Sequence, residues 1–242
     1  MKKIITIIAA TLSMCVLWAQ HEVGLGLGTA HLLGDFGGGP GRGSIFIKDL
    51  DLQSTKSSAS LFYRYNFLKI LAMRGQFTYA GLSSSDIYSA DQSRFDRGLS
   101  SKTKLMDLSI QVEVHFIALK HCHGFLRASP YIAAGLGFSR ANTNIAGQGG
   151  EGLPLNELQY INNSGLVSAV NIPFAVGLKI KTAKQVAIGL EASYRMAFTD
   201  RLDNYIRQQN DHFIFLQTQV SYVFCKGGIA KGTNKEVRCP AY

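Results

Sequence analysis

Between residues 21 and 224 the chain alternates apolar and polar side chains in eight short bursts. The connections between bursts run long, short, long, short, long, short, long. A period of two predicts strands rather than helices. Residues 21–30 set Val23, Leu25 and Leu27 on one face against Glu22, Gly24, Gly26 and Gly28 on the other. Residues 57–67 set Ala59, Leu61, Tyr63, Tyr65 and Phe67 against Ser58, Ser60, Arg64 and Asn66. They turn through Leu68-Lys69-Ile70 into residues 71–81, where Leu71, Met73, Phe77 and Tyr79 alternate with Arg74, Gln76 and Thr78. The cleanest burst is 105–117, with Leu108, Ile110, Val112, Val114 and Phe116 opposite Asp107, Ser109, Gln111, Glu113 and His115. Bursts at 127–138, 170–180, 186–196 and 212–224 complete the series, and the last ends on Tyr222-Val223-Phe224.

The polar face decides the fold class. A soluble sandwich would make that face rich in Lys and Glu because it meets water; here it is mostly Ser, Gln and Gly with few charges. The pattern predicts an all-β protein, an eight-stranded antiparallel transmembrane β-barrel, with apolar residues outside and small or polar residues inside. Such a sheet has no unpaired edge, as lipid demands. Each burst is near the roughly 9–11 residues that a tilted strand needs to cross a bilayer. An even strand count keeps both termini on one side. With the N-terminus entering from the periplasm, the connections 31–54, 82–104, 139–169 and 197–211 fall outside the cell, and the short ones at Lys69, Lys120 and Lys184 fall in the periplasm. An eight-stranded interior is just wide enough for its own side chains. Arg64, Arg74, Glu113, Glu191 and Arg195 all have inward parity, so they are expected to form an ion-pair network that fills the lumen and leaves no open pore.

The ends of the chain add a targeting route. Met1-Lys2-Lys3, the apolar run from Ile4 to Trp18, and Ala19-Gln20 have the order of a secretory signal peptide. Leu12-Ser13-Met14-Cys15 is a poor lipid-attachment box, because Met14 is bulky and Cys15 lies inside the apolar run. The expected organisation is a removed leader over 1–20, an outer-membrane barrel over 21–224, and a short basic periplasmic tail over 225–242. The formal charge of the whole chain is +9, and loss of Lys2 and Lys3 lowers it by two. For an exported barrel, a basic balance points to anionic lipid or an acidic protein rather than nucleic acid.

Export also implies an oxidising compartment, in which Cys225 and Cys239 could close a small loop. Cys122 is then left over, either shielded in a turn or bonded to another chain. Other candidate chemistry is weak. Gly24 to Gly28 is alternating strand and Gly37 to Gly43 lacks the Lys-Ser/Thr of a nucleotide loop, so neither is a phosphate cradle. His121-Cys122-His123 offers adjacent ligands that cannot all point at one ion, and no metal or other cofactor is expected. His31, Asp35 and Ser44 share one connection, but nothing fixes them as a hydrolase site. No enzyme activity and no small-molecule substrate are expected.

Three stretches together resemble a known family. They are His21-Glu22-Val23-Gly24-Leu25-Gly26-Leu27-Gly28 with Leu33-Gly34-Asp35-Phe36; Ile172-Pro173-Phe174 with Gly177-Leu178-Lys179; and Glu191 to Arg195 followed by Phe198-Thr199-Asp200-Arg201-Leu202-Asp203. They resemble the PorG family of the Bacteroidetes type IX secretion system, over nearly the whole mature chain. The resemblance implies a non-catalytic outer-membrane component that contacts the periplasmic ring proteins PorK and PorN. On that footing, Lys120, Cys122 and Lys184 in the short turns, with Cys225, Lys226, Lys231, Lys235, Arg238 and Cys239 in the tail, are the candidate docking residues. The competing expectation is a small structural or adhesive barrel of the OmpA/OmpX kind.

Overall fold

The computed structural model describes residues 20–33, 55–68, 70–85, 99–117, 127–147, 166–182, 185–199, 202 and 211–224. The strands are β1 (Gln20–Leu33), β2 (Lys56–Asn66), β3 (Leu71–Ser85), β4 (Leu99–His115), β5 (Arg127–Gly147), β6 (Leu166–Lys181), β7 (Val186–Ala197) and β8 (His212–Phe224). Each pairs antiparallel with the next, and β8 returns to β1 to close the barrel. Leu25 faces Leu61 of β2 on one side and Val220 of β8 on the other, so the first strand has no free edge. Closure satisfies the backbone groups that an open sheet would leave bare.

The side chains divide as the alternation predicts. Leu27, Leu136 and Val176 are 68 %, 66 % and 64 % exposed, whereas Arg74 and Glu113 are fully buried. This inverts the soluble pattern. Along β4 and the residue that follows it the outward row is apolar from Met106 through Leu108, Ile110 and Val112 to Phe116. That row spans roughly 34 Å along the strand, or about 26 Å along the barrel axis at a tilt of ~40°. An apolar band of that height matches the hydrocarbon layer of a bilayer. Tyr63, Tyr222, Phe224 and Phe116 lie outward near the short-turn end, and Tyr79 and Phe138 toward the long-connection end.

The strands are longer than the bursts at the long-connection end. Residues 82–104 and 139–169 were expected to be connections, yet β3 runs to Ser85, β4 starts at Leu99, β5 continues to Gly147 and β6 begins at Leu166. β1 likewise reaches Leu33. Pairing of β4 with β5 continues unbroken from Leu105↔Ala141 to Leu99↔Gly147. The reason is physical: beyond the apolar band the outward positions become Lys104, Lys102, Asn142 and Asn144, so period-two contrast fades while the ladder persists. At the other end β2 and β3 form the expected tight hairpin, with Asn66 opposite Ala72 and the Leu68 amide donating to the Leu71 carbonyl at 3.1 Å.

Candidate functional site

The lumen is the feature that the alternation builds, and it is filled in three tiers. Nearest the short turns is a charged tier. Glu22 lies two residues into β1, Arg64 and Glu113 two residues from the ends of β2 and β4, and Lys179 two from the end of β6. Inward parity therefore delivers them to one level. Lys179 Nζ meets Glu22 Oε2 at 2.5 Å, and Glu22 Oε1 accepts from Arg64 Nη1 at 2.5 Å. Arg64 Nε lies 2.6 Å from Glu113 Oε2, whose other oxygen is 3.0 Å from Arg74 Nε. Arg74 continues to Glu191 through Nη1 at 2.5 Å and Nη2 at 3.1 Å, and donates to Gln111 Oε1 at 2.8 Å. The Tyr131 hydroxyl donates to Glu191 Oε2 at 2.6 Å. This chain of alternating charge ties together β6, β1, β2, β4, β3, β7 and β5.

Glycines make the room for it. Gly24 faces Phe62, and a Cβ there would stand 2.3 Å from the Phe62 ring. The ring in turn lies under both guanidinium groups, 5.0 Å from Arg64 Cζ and 5.9 Å from Arg74 Cζ. Gly177 leaves the same space for Tyr131, also at 2.3 Å. Gly24 of β1 and Gly177 of β6 are thus packing devices: a small residue on one strand admits a ring from its neighbour, and the rings shield the cations.

The middle tier is polar. Gln217 accepts from Ser60 at 2.9 Å and donates to Ser58 at 3.1 Å. Asp107 Oδ1 accepts from Ser139 at 2.8 Å and from Asn171 Nδ2 at 2.7 Å. Arg195 Nη1 stands 3.4 Å from Asp107 Oδ2. The third tier, at the long-connection end, is apolar: Leu32, Leu82, Leu105, Phe213 and Phe215 surround Leu202, which is fully buried. Leu202 comes from the connection after β7, and three polar contacts pin its backbone. Its amide donates to Asp211 Oδ2 at 2.7 Å, and its carbonyl accepts from Thr143 at 2.6 Å and Thr103 at 3.4 Å.

Four of the five residues expected in the network, Arg64, Arg74, Glu113 and Glu191, come together in one tier. Arg195 pairs with Asp107 in the middle tier, within electrostatic reach of Glu191 and Arg74. Glu22 and Lys179 join the tier although they were not among the five expected residues, and their inward parity is the same signal. Among the described residues five buried cations, Arg64, Arg74, Lys179, Lys181 and Arg195, are matched by five buried carboxylates, Glu22, Asp107, Glu113, Glu191 and Asp211. Unpaired ions so buried would each cost several kcal/mol, which the pairing offsets.

Lys120, Cys122, Lys184, Cys225, Lys226, Lys231, Lys235, Arg238 and Cys239 lie outside the described residues, as do His121, His123, Asp35 and Ser44. His31 is buried near the long-connection end, where its Nδ1 is 3.3 Å from Thr55 Oγ1. Among the described residues no group of three or more His, Cys, Asp or Glu side chains could hold a metal ion.

Solved structures with a similar course of chain include Ail, the attachment invasion locus protein of Yersinia pestis in complex with a heparin analogue. It is 14 % identical with a TM-score of 0.46, over 85 % of this chain and 99 % of that one. Neisserial surface protein A is 12 % identical with a TM-score of 0.48, over 85 % and 97 %. The N-terminal β-barrel domain of Pseudomonas aeruginosa OprF is 12 % identical with a TM-score of 0.43, over 85 % and 99 %. Likenesses this distant say nothing of what the chain does. Among curated proteins none matches this sequence. A family match covers residues 2–230, and the chain belongs to that family, DUF6089, a domain of unknown function.

Proposed function

We propose that this protein is a sealed, non-enzymatic barrel of the outer membrane that anchors a periplasmic assembly, the PorK/PorN ring of a type IX secretion system. The observation that carries the membrane part is the inverted side-chain division: an apolar band about 26 Å high outside, and inside a lumen closed by paired charges at one end and by Leu202 and its neighbours at the other. A lumen filled in this way, with every carboxylate among the described residues buried, leaves the outer surfaces to work with. The secretion part rests on the resemblance in β1, β6, β7 and the segment after β7. The Phe198-Thr199-Asp200-Arg201-Leu202-Asp203 stretch is the most specific part of that resemblance, and its Leu202 seats in the barrel mouth. In this reading Lys120, Cys122 and Lys184 in the short turns and the basic tail from Cys225 to Cys239 face the periplasm and grip the ring. No metal, cofactor, nucleic acid or small-molecule substrate takes part.

Truncation after Phe224 tests the docking. The shortened protein is expected to reach the membrane and assemble, while ring proteins no longer co-purify with it and cargo export stops. Normal export by a correctly assembled truncation would overturn the docking role of the tail. Single exchange of Cys122, Cys225 and Cys239 followed by non-reducing gels reads any covalent link.

A second reading, a surface barrel of the OmpA/OmpX kind, draws on the β4–β5 ladder, which continues well past the apolar band at the end where β5 leads through 148–165 to β6. Deleting 148–165, which spares β5 and β6, separates the two. An anchor keeps exporting cargo, whereas an adhesive barrel loses its surface binding.

A further inference from the structure

Every acidic side chain among the described residues, Glu22, Asp107, Glu113, Glu191 and Asp211, is buried. Among the described residues the outward wall of β4 and β5 just beyond the apolar band carries positive charge only. Lys104 is opposite Asn142 in the β4–β5 ladder, Lys102 opposite Asn144, and Met106 opposite Arg140. Directly opposed residues share a face, so Lys102, Lys104, Arg140, Asn142 and Asn144 all point outward, and all five are exposed. Lys102 and Lys104 lie two residues apart on one face, roughly 7 Å, and Lys104 and Arg140 are diagonal cross-strand neighbours at about the same spacing. The rows immediately below are apolar: Met106, Leu108, Phe138 and Leu136. Among the described residues none of the three cations has an ion-pair partner. On the β3 side the facing positions are Gly81 and Ser83, which leave the wall low beside the lysines.

The geometry points to a binding site on this wall for the phosphate-bearing headgroup of an outer-leaflet lipid, with its acyl chains lying down the apolar rows of β4 and β5. Three cations within one headgroup's reach supply charge-assisted hydrogen bonds to phosphate oxygens. Asn142 and Asn144 add neutral donors for hydroxyl or sugar oxygens. The height decides the source: a soluble phosphate needs no apolar floor, but a lipid needs both the cations and the rows beneath them. Arg140 stands level with Met106, at the seam where a headgroup phosphate would lie. The site rests on the reading of the chain as an outer-membrane barrel with its long connections outside the cell.

Native mass spectrometry of the full chain in dodecyl-maltoside micelles tests the patch without reference to orientation. Diphosphorylated lipid A, its dephosphorylated counterpart and inorganic phosphate serve as separate probes. The phosphorylated lipid is expected to bind about tenfold more tightly than the dephosphorylated one, and to weaken as salt rises. Combined Lys102→Ala, Lys104→Ala and Arg140→Ala is expected to erase that preference while heat-modifiable gel migration stays normal, since all three side chains are exposed. Equal binding of the two lipids, or an unchanged preference in the triple variant, overturns the site. Inorganic phosphate competing as well as the lipid does overturns the lipid source. Orientation is read separately, by a membrane-impermeant maleimide on Lys104→Cys in intact cells, with Cys122, Cys225 and Cys239 changed to serine. Labelling in intact cells supports the outer-leaflet source. Labelling only after the outer membrane is opened overturns that source and the orientation it rests on, whatever the micelles show.

Discussion

The two ends of the lumen are closed by opposite means. Near the short turns the seal is a chain of ions running from Lys179 through Glu22, Arg64, Glu113 and Arg74 to Glu191. Near the long connections it is Leu202 set among Leu82, Leu105, Phe213 and Phe215. The ionic end is made wholly by strand residues, and its partners are placed by register. The apolar end depends on a residue from outside the strands, held by backbone contacts to Thr143, Thr103 and Asp211. The first is specific and fails sharply when one member is lost; the second is adaptable and weakens by degrees.

The comparison breaks most readily at Glu113, which serves both Arg64 and Arg74. Glu113→Ala leaves two buried guanidinium groups short of a partner and is expected to destabilise by about 3–5 kcal/mol. Urea unfolding in detergent measures it, and a cost below about 1 kcal/mol would mean that water already screens this tier. At the apolar end, Leu105→Ala is expected to cost about 2–4 kcal/mol, with no change in the ionic tier. Full additivity of the two substitutions in one chain would establish that the seals are independent. A smaller effect is expected at Gly24→Ala, whose methyl group collides with Phe62; about 1–3 kcal/mol is expected from overpacking. Phe62→Leu should relieve part of it, and a double-mutant cycle reads the coupling. The smallest is Gly75→Ala. Nothing lies within 4 Å of a Cβ at Gly75, so a gain of about 0.5 kcal/mol is expected from the stiffer unfolded chain. A marked loss there would show that the wall is covered by something other than lipid.

Much of this was legible in the residues before any coordinates. The faces of β4 follow from Leu108 to Phe116 against Asp107 to His115, and Arg64 and Arg74 announce themselves as inward charges in strands otherwise greasy outside. What alternation cannot say is who meets whom across the lumen. That Lys179 of β6 reaches Glu22 of β1 depends on the stagger of the closed sheet, which no local pattern encodes. Arg195 shows the same limit: its parity is right, but its level along the axis pairs it with Asp107 in the middle tier. The strand extensions past Lys104 and Arg140 were hidden for another reason, since a wall with water on its outer face no longer needs apolar residues there. Leu202 lay within the most distinctive stretch of the chain, yet only the folded backbone reveals that it turns inward.

The ionic chain also constrains how the barrel is made. Its links join strands far apart in sequence, and Glu22 of the first strand meets Lys179 only when the sheet has nearly come full circle. A half-assembled sheet therefore carries bare charges that favour water over lipid, and insertion and ring closure become a single event. Misregistered or incomplete copies would betray themselves by remaining hydrated, in easy reach of the proteases that clear unfinished chains.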